Sequence, residues 1–348
     1  MQPINTALLS FGMSGQIFHA PFLQVHEGFN LYAVWERTKN LAQEKYPSIK
    51  TYRTLEDLLN DNAIELVVVN TPSGTHYRYA KQCLLANKNV IVEKPFTATV
   101  EEGEELIQLA KEKNKLLSVY QNRRYDSDYK VLKKIVDEGW LGEIVEAEFH
   151  YDRFGDELSY KIHKETPGPA VGVVYDLGSH LIDQALQLFG TPDAVFADIR
   201  ILRSLSKVND YFEILLYYKK LRVRLHSSYM VREPLPAYVL HGRKGSFIKA
   251  KTDVQEVALQ SGKVPNTPDW GTEPENEKGF LHTEKDGKII KEYIPSQQGN
   301  YMQYYNGIYK ALRKQQPLPV TAEEGLNVIR IIRAAYKSNE QKKVIELK

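Results

Sequence analysis

A chain of 348 residues is longer than one hydrophobic core usually serves, so two domains are expected, each large enough to bury its own interior. Its 46 lysines and arginines against 44 acidic residues leave a formal charge of +2, which excludes an electrostatic case for nucleic acid or anionic lipid as partner. Cys83 is the single cysteine, so an intrachain disulfide and a cysteine-rich zinc site are excluded, no metal is expected, and no segment approaches the about 20 apolar residues of a membrane span.

The N-terminal stretch MQPINTALLSF has no charged leader and too short an apolar run for a signal peptide, which together with the lone thiol points to the cytoplasm. From residue 4 to 120, apolar runs of strand length alternate with amphipathic helical stretches. Strands are predicted at Thr6–Ser10, Leu31–Trp35, Leu66–Asn70, Val90–Glu93 and Leu116–Tyr120. Alternation with helices means a parallel, doubly wound sheet, which binds ligands beyond the carboxyl ends of its strands.

After the first strand, SFGMSGQIF places Gly12 and Gly15 at the second and third glycines of a G-x-G-x-x-G loop, with Ser10 where the first would stand and Met13 and Ser14 in between. Glycine at 12 admits a pyrophosphate close to the backbone, glycine at 15 lets helix pack on strand, and the helix N-terminus offers free N–H donors. The second strand runs into Glu36, about 20 residues beyond, where an acid would hold the ribose 2′-hydroxyl of NAD. Arg37, Thr38 and Lys39 offer the alternative: they would receive the 2′-phosphate of NADP, with Glu36 turned aside. The cofactor reading is therefore NAD or NADP.

Thr54 with Asp57 and Thr99 with Glu102 fit the Ser/Thr-x-x-acid capping pattern ahead of helices, and a helix over 76–86 takes Cys83 as a packing residue. The apolar run NVIV ends in Glu-Lys-Pro-Phe-Thr at 93–97. Pro95 fixes its own φ and biases Lys94 toward an extended conformation, so Lys94 is aimed past the strand's carboxyl end. Further on, HKETPGPAVGVVYD at 163–176 holds two prolines and two glycines and is predicted to be a loop over the active site. Asp176 and His180, four apart, share a face of a helix starting near Leu177. After about residue 190, AVFADIRIL, YFEILLYYK, LRVRLHSSYMV and AYVLHGRKGSFI suit one antiparallel sheet with a broad face, with turns at KK and GRKG. Residues 263–300 are polar and are expected to form long excursions, and Thr321 with Glu324 starts a final helix carrying Leu326, Ile329 and Ile332.

Four segments, NTPSGTHY at 70–77, EKP at 93–95, QNRRYDSDY at 121–129 and GVVYDLGSHLIDQAL at 172–186, resemble the glucose-fructose oxidoreductase, inositol dehydrogenase and rhizopine catabolism (Gfo/Idh/MocA) family over nearly the whole chain. The resemblance implies an α/β protein. Residues 1–122 would form a Rossmann domain binding NAD(P), and residues 123–348 a substrate-binding and oligomerisation α+β domain with an open, mostly antiparallel sheet. The final helix would pack back on the first domain. It also implies a catalytic set of Lys94, Asp176 and His180, with Asp183 completing a D-x-x-x-H-x-x-D run. Asn70, Thr71, Pro72 and His76 would lie along the nicotinamide ribose, with Glu93 and Gln121 nearby. Asn122, Arg123, Tyr151, Asp152, Arg153 and His163 would contact substrate hydroxyls.

Such a set would remove a proton from a secondary alcohol of a sugar, inositol or similar polyol: His180 as base, Asp176 orienting it, Lys94 polarising the reacting oxygen. The family is usually glycine-rich just before the aspartate. Here only Gly168 and Gly172 remain, so loop shape and substrate choice do not transfer. The alternatives are a non-catalytic sensor that kept the dinucleotide fold, against which the retained triad counts, and an NAD-dependent glycoside hydrolase, disfavoured by the lack of an export signal. A homodimer or homotetramer through the C-terminal sheet is expected.

Overall fold

The computed structural model describes residues 2–347. The chain divides into two compact units, one comprising the residues up to Asn122 with Gln255–Trp270 and Asn300–Leu326, the other Arg123–Val254, Gly271–Gly299 and the chain from Asn327 on.

The first unit is built on six strands: β1 (Ile4–Leu8), β2 (Phe29–Trp35), β3 (Lys50–Tyr52), β4 (Leu66–Val69), β5 (Asn89–Glu93) and β6 (Leu117–Tyr120). They lie in the order β3-β2-β1-β4-β5-β6 and every pairing is parallel, the doubly wound order in which chain direction across the sheet reverses between β1 and β4. The β-branched run LVVV of β4 is buried on both faces, as a central parallel strand must be. β3 escapes the sequence reading because KTY is three residues long, polar and half-exposed on the sheet's edge.

Helix starts follow the capping chemistry. Thr54 accepts from the Asp57 N–H, and Thr99 with Glu102 closes a reciprocal capping box ahead of the helix Val100–Glu112. Tyr301, Tyr304 and Tyr305, around the start of the helix Met302–Lys314, are completely buried, Tyr305 stacking on Phe22 at 5.8 Å. Part of the abundant tyrosine thus serves a core, where each ring buries a large apolar area and the hydroxyl finds a partner, as Tyr304 does with the Ser118 hydroxyl at 2.8 Å.

The second unit carries nine strands: β7 (Ile144–His150), β8 (Ala194–Arg200), β9 (Tyr211–Tyr217), β10 (Arg222–Ser228), β11 (Tyr238–Gly242), β12 (Gly245–Lys249), β13 (Gly279–Lys285), β14 (Lys288–Ile294) and β15 (Ile345–Glu346). Their order is β14-β13-β12-β11-β7-β10-β9-β8-β15, antiparallel throughout except for the parallel pair β7–β10. One face buries Ala147, Phe149, Phe212, Ile214, Val223 and Leu225, and residues alternating with these carry charge on the other. The hairpin β13–β14 lies inside the stretch predicted to be irregular. Its turn, Asp286–Gly287, has φ of 53° and 73°, the positive pair that an Asp-Gly turn accommodates, but the exposed, lysine-rich β14 hid the strand period. Among the described residues no helix is long and apolar enough to cross a membrane.

Candidate functional site

In the first unit the loops after β1, β4 and β5 meet at the switch in strand order. Gly15 is required there: a Cβ would stand 2.4 Å from the Ser10 carbonyl oxygen and 3.0 Å from the Asn70 amide nitrogen. That is the close helix-on-strand approach expected of the third glycine of a dinucleotide loop. The chain then makes a π turn, Gly15–His19, before the helix Ala20–Val25.

Glu93, the last residue of β5, ties this loop to the Lys94 segment. One carboxylate oxygen accepts from the Ser14 hydroxyl and, at 2.9 Å, from His19 Nε2, while the other accepts the Lys94 N–H at 3.2 Å. His19 is fully buried, its Nε2–H turned to the Glu93 carboxylate and its Nδ1 2.6 Å from the Tyr305 hydroxyl. Burial alone would raise the Glu93 pKa. The bonds from His19 and Ser14 and the Lys94 charge outweigh it and hold the carboxyl below its ordinary value. The Lys94–Pro95 peptide is cis.

His76 stitches the loop after β4 to the same segment, its Nδ1 2.8 Å from the Pro95 carbonyl oxygen and its Nε2 2.9 Å from that of Thr71. Burial depresses its pKa, and the two carbonyl contacts work against that shift. Asn70 donates to the Ser10 carbonyl at 2.8 Å, yet its Oδ1, like the Oε1 of Gln121 beyond β6, is buried without a hydrogen-bond partner. Two orphaned acceptors at the carboxyl ends of β4 and β6, the first of them beside the glycine cradle, fit a ligand rich in N–H and O–H donors such as a nicotinamide nucleotide.

Glu36 behaves differently from an acid waiting for a ribose. Both carboxylate oxygens are occupied, accepting from the N–H groups of Leu41 at 3.2 Å and Ala42 at 3.0 Å, so it caps the helix Leu41–Lys45. Arg53 braces the same loop through the carbonyls of Glu36, at 2.9 Å, and Lys39, at 2.6 Å. Met13, Arg37, Thr38 and Lys39 are exposed.

In the second unit Asp176 lies on a π turn, Val174–Gly178, that runs into the helix Ser179–Phe189 carrying His180. The helix thus begins with a widened turn instead of near Leu177, a feature that recurs at functional sites. The turn is set by Gly172, at φ +101°, against which Asn209 packs while its Oδ1 accepts the Val174 N–H at 3.1 Å. A Cβ at 172 would come within 2.4 Å of that amide.

Asp176 is bound by Lys164 at 2.7 Å, from the short helix Ile162–Glu165. Burial draws the Lys164 pKa down, but the Asp176 charge prevails and raises it. His163 beside it is pushed down, by burial first and then by the charges of Lys164 and Lys161. Arg203, itself buried, pins this segment through Glu165 at 3.0 Å, Asp210 at 3.0 Å and the Glu157 carbonyl at 3.0 Å. His180 is buried with its ring 6.5 Å from that of Tyr151, and the Arg153 guanidinium lies over the Tyr151 and Tyr229 rings. Lys251 stands 5.2 Å from the Tyr151 ring centre and pairs with Asp126 at 2.9 Å. Asp126 is pushed up to about 7, chiefly by burial.

Asp183 is taken up elsewhere: Arg124 grips its carboxylate with two bonds of 2.8 and 2.6 Å, a buried structural pair. Asn122 and Arg123 are buried, Arg123 3.6 Å from Asp126. Reasoning from sequence missed His19, Tyr305, Lys164, Arg203 and Lys251. The signal available for Lys164 was its place beside His163 in a loop already singled out; the others are brought in from distant segments and left no local pattern.

Residues 4–121 match the family model described as an oxidoreductase family with an NAD-binding Rossmann fold, and residues 133–347 that of the same family's C-terminal alpha/beta domain. The chain is 42% identical over 344 residues to the scyllo-inositol 2-dehydrogenase (NADP(+)) IolW of Bacillus subtilis, covering 99% of this chain and 96% of the relative. A solved structure of a Bacteroides fragilis protein described as an oxidoreductase shares 48% identity, TM-score 0.91, over 99% of this chain and 100% of that one. An oxidoreductase from Bacillus cereus shares 32% identity, TM-score 0.92, over 99% of each chain.

Proposed function

From the premise that the chain belongs to the Gfo/Idh/MocA family of NAD(P)-binding oxidoreductases, we propose that it oxidises, reversibly, a secondary hydroxyl of a cyclitol or related sugar, with NADP as the preferred cofactor. The observation that carries the preference is the Glu36 carboxylate, each oxygen of which already accepts a backbone amide. An acid so occupied is a poor partner for a ribose 2′-hydroxyl, and the exposed Arg37 and Lys39 beside it suit a 2′-phosphate. Support for the substrate class comes from the similarity to an NADP(+)-dependent scyllo-inositol 2-dehydrogenase.

Hydride exchange at nicotinamide is the chemistry the bound cofactor supplies. Gly12, Met13, Ser14 and Gly15 would hold the pyrophosphate, and Asn70, Thr71, Pro72, His76 and Gln121 the nicotinamide ribose. His180 is the proposed base that takes the hydroxyl proton, Asp176 its partner in orienting the substrate, and Lys94 the cation that stabilises the developing alkoxide. Glu93, by fixing the Lys94 backbone and the glycine loop together, is a positioning residue. Lys164 and His163 would add donors beside Asp176 for further hydroxyls, and Tyr151, Arg153, Asn122 and Arg123 are proposed as further hydroxyl contacts.

The test is a cofactor-reduction screen with NADP+ and NAD+ against scyllo-inositol, myo-inositol and a set of aldoses. Reduction of NADP+ by a cyclitol at saturating substrate is expected. Tight cofactor binding with no reduction by any member would instead point to a sensor.

A further inference from the structure

On the face of the second unit's sheet opposite its core, the parallel strands β7 and β10 bring two histidines into register, His150 opposite His226, with ring centres 5.4 Å apart. Asp152, two residues past His150, completes a group whose potential ligand atoms all lie within 4.8 Å of one another. The Asp152 carboxylate stands 3.0 Å from His226 Nδ1 and 3.7 Å from His150 Nδ1. The His150 side chain is 5% exposed and that of Asp152 2%.

The hydrogen bonds around these rings are incomplete in a particular way. His150 gives its Nε2 proton to Glu148 at 3.1 Å, which in a neutral ring leaves the Nδ1 lone pair facing an anionic oxygen. Neither His150 Nδ1 nor His226 Nδ1 makes a hydrogen bond of acceptable geometry, although both are buried. Two imidazole nitrogens and a carboxylate converge out of water, and the carboxylate charge is balanced either by protons on the rings or by a cation standing among the three groups. Glu148 meanwhile occupies the place of the carboxylate that metal-bound histidines habitually engage through their other nitrogen. It is itself held by Arg224 at 2.7 Å. The Asp152 carboxylate is fixed from behind by the Ser228 N–H at 3.0 Å.

We propose that His150, Asp152 and His226 form a binding site for a divalent first-row transition ion, zinc being the best match to two imidazole nitrogens and one carboxylate oxygen. Tetrahedral ligands at about 2.0–2.1 Å from zinc sit roughly 3.4 Å apart, near the 3.0 Å from His226 Nδ1 to Asp152 Oδ1 and the 3.7 Å from His150 Nδ1 to Asp152 Oδ2. Three protein ligands leave a fourth position for water. The ion would clamp the segment Tyr151–Arg153 to the end of β10. It would therefore brace residues proposed to touch substrate without taking part in the reaction.

The test is calorimetric titration of chelator-stripped protein with zinc chloride, alongside thermal melts with and without the metal. One equivalent per chain and a raised melting temperature are expected. His226→Asn should abolish the binding, and Glu148→Gln, which leaves all three ligands in place, should weaken it by about 10- to 100-fold. Circular dichroism checks that both variants fold; His226, the most exposed of the three, is the substitution least disruptive to packing. No saturable zinc binding to the wild type, or binding equally strong in both variants, would overturn the proposal. The triad would then be an imidazolium–carboxylate cluster.

Discussion

Substitution of Arg37 by alanine tests the reading of the cofactor pocket. Glu36 is committed to the amides of Leu41 and Ala42, and Arg53 holds the loop through the Glu36 and Lys39 carbonyls, so the loop backbone should survive the change. The lost interaction is then one charge-assisted contact to the 2′-phosphate, which contributes about 1.5–3 kcal/mol, or about 10- to 150-fold in affinity. Arg37 is exposed, and solvent screening favours the lower end, about tenfold. Steady-state kinetics should show KM for NADP+ rising by that factor while KM for NAD+ and kcat stay as they were, the signature of lost uniform binding. An equal loss with both cofactors would refute the reasoning, as would no loss with NADP+.

Two further outcomes follow from the second unit. Arg124→Ala removes both guanidinium bonds to the Asp183 carboxylate, whose side chain is 3% exposed, and should cost about 3–5 kcal/mol in urea denaturation; a loss under about 1 kcal/mol would contradict a buried pair. Lys164→Met removes a positive charge that penalises the His163 imidazolium, so the His163 pKa should rise, as followed by proton NMR titration; an unchanged or lowered value would show that the Lys164 charge does not hold it down.

How much of this was legible in the sequence depended on whether the information was local. The parallel sheet announced itself through runs such as LVVV and through the capping residues Thr54 and Thr99, whose chemistry is completed within three residues. The glycine loop was readable because Gly15 answers a steric demand that the spacing encodes. β3 and β14 were not, one too short and the other too polar for periodicity to register. The bonding of Glu93 to His19, and of His19 to Tyr305, joins residues far apart in the chain, so no window of sequence contains it. Glu36 illustrates the remaining gap: its spacing identified an acid at the end of β2, but only its hydrogen bonds reveal that the carboxylate caps a helix.

Lys94, Asp176 and His180 carry the central claim, and His180 is the residue whose loss discriminates most sharply. In His180→Asn, NADP+ affinity measured by fluorescence titration should be unchanged. Turnover of a cyclitol identified with the wild type should fall by about 10² to 10⁴, the worth of a positioned general base. Turnover close to wild type, with the same substrate and cofactor, would contradict the account.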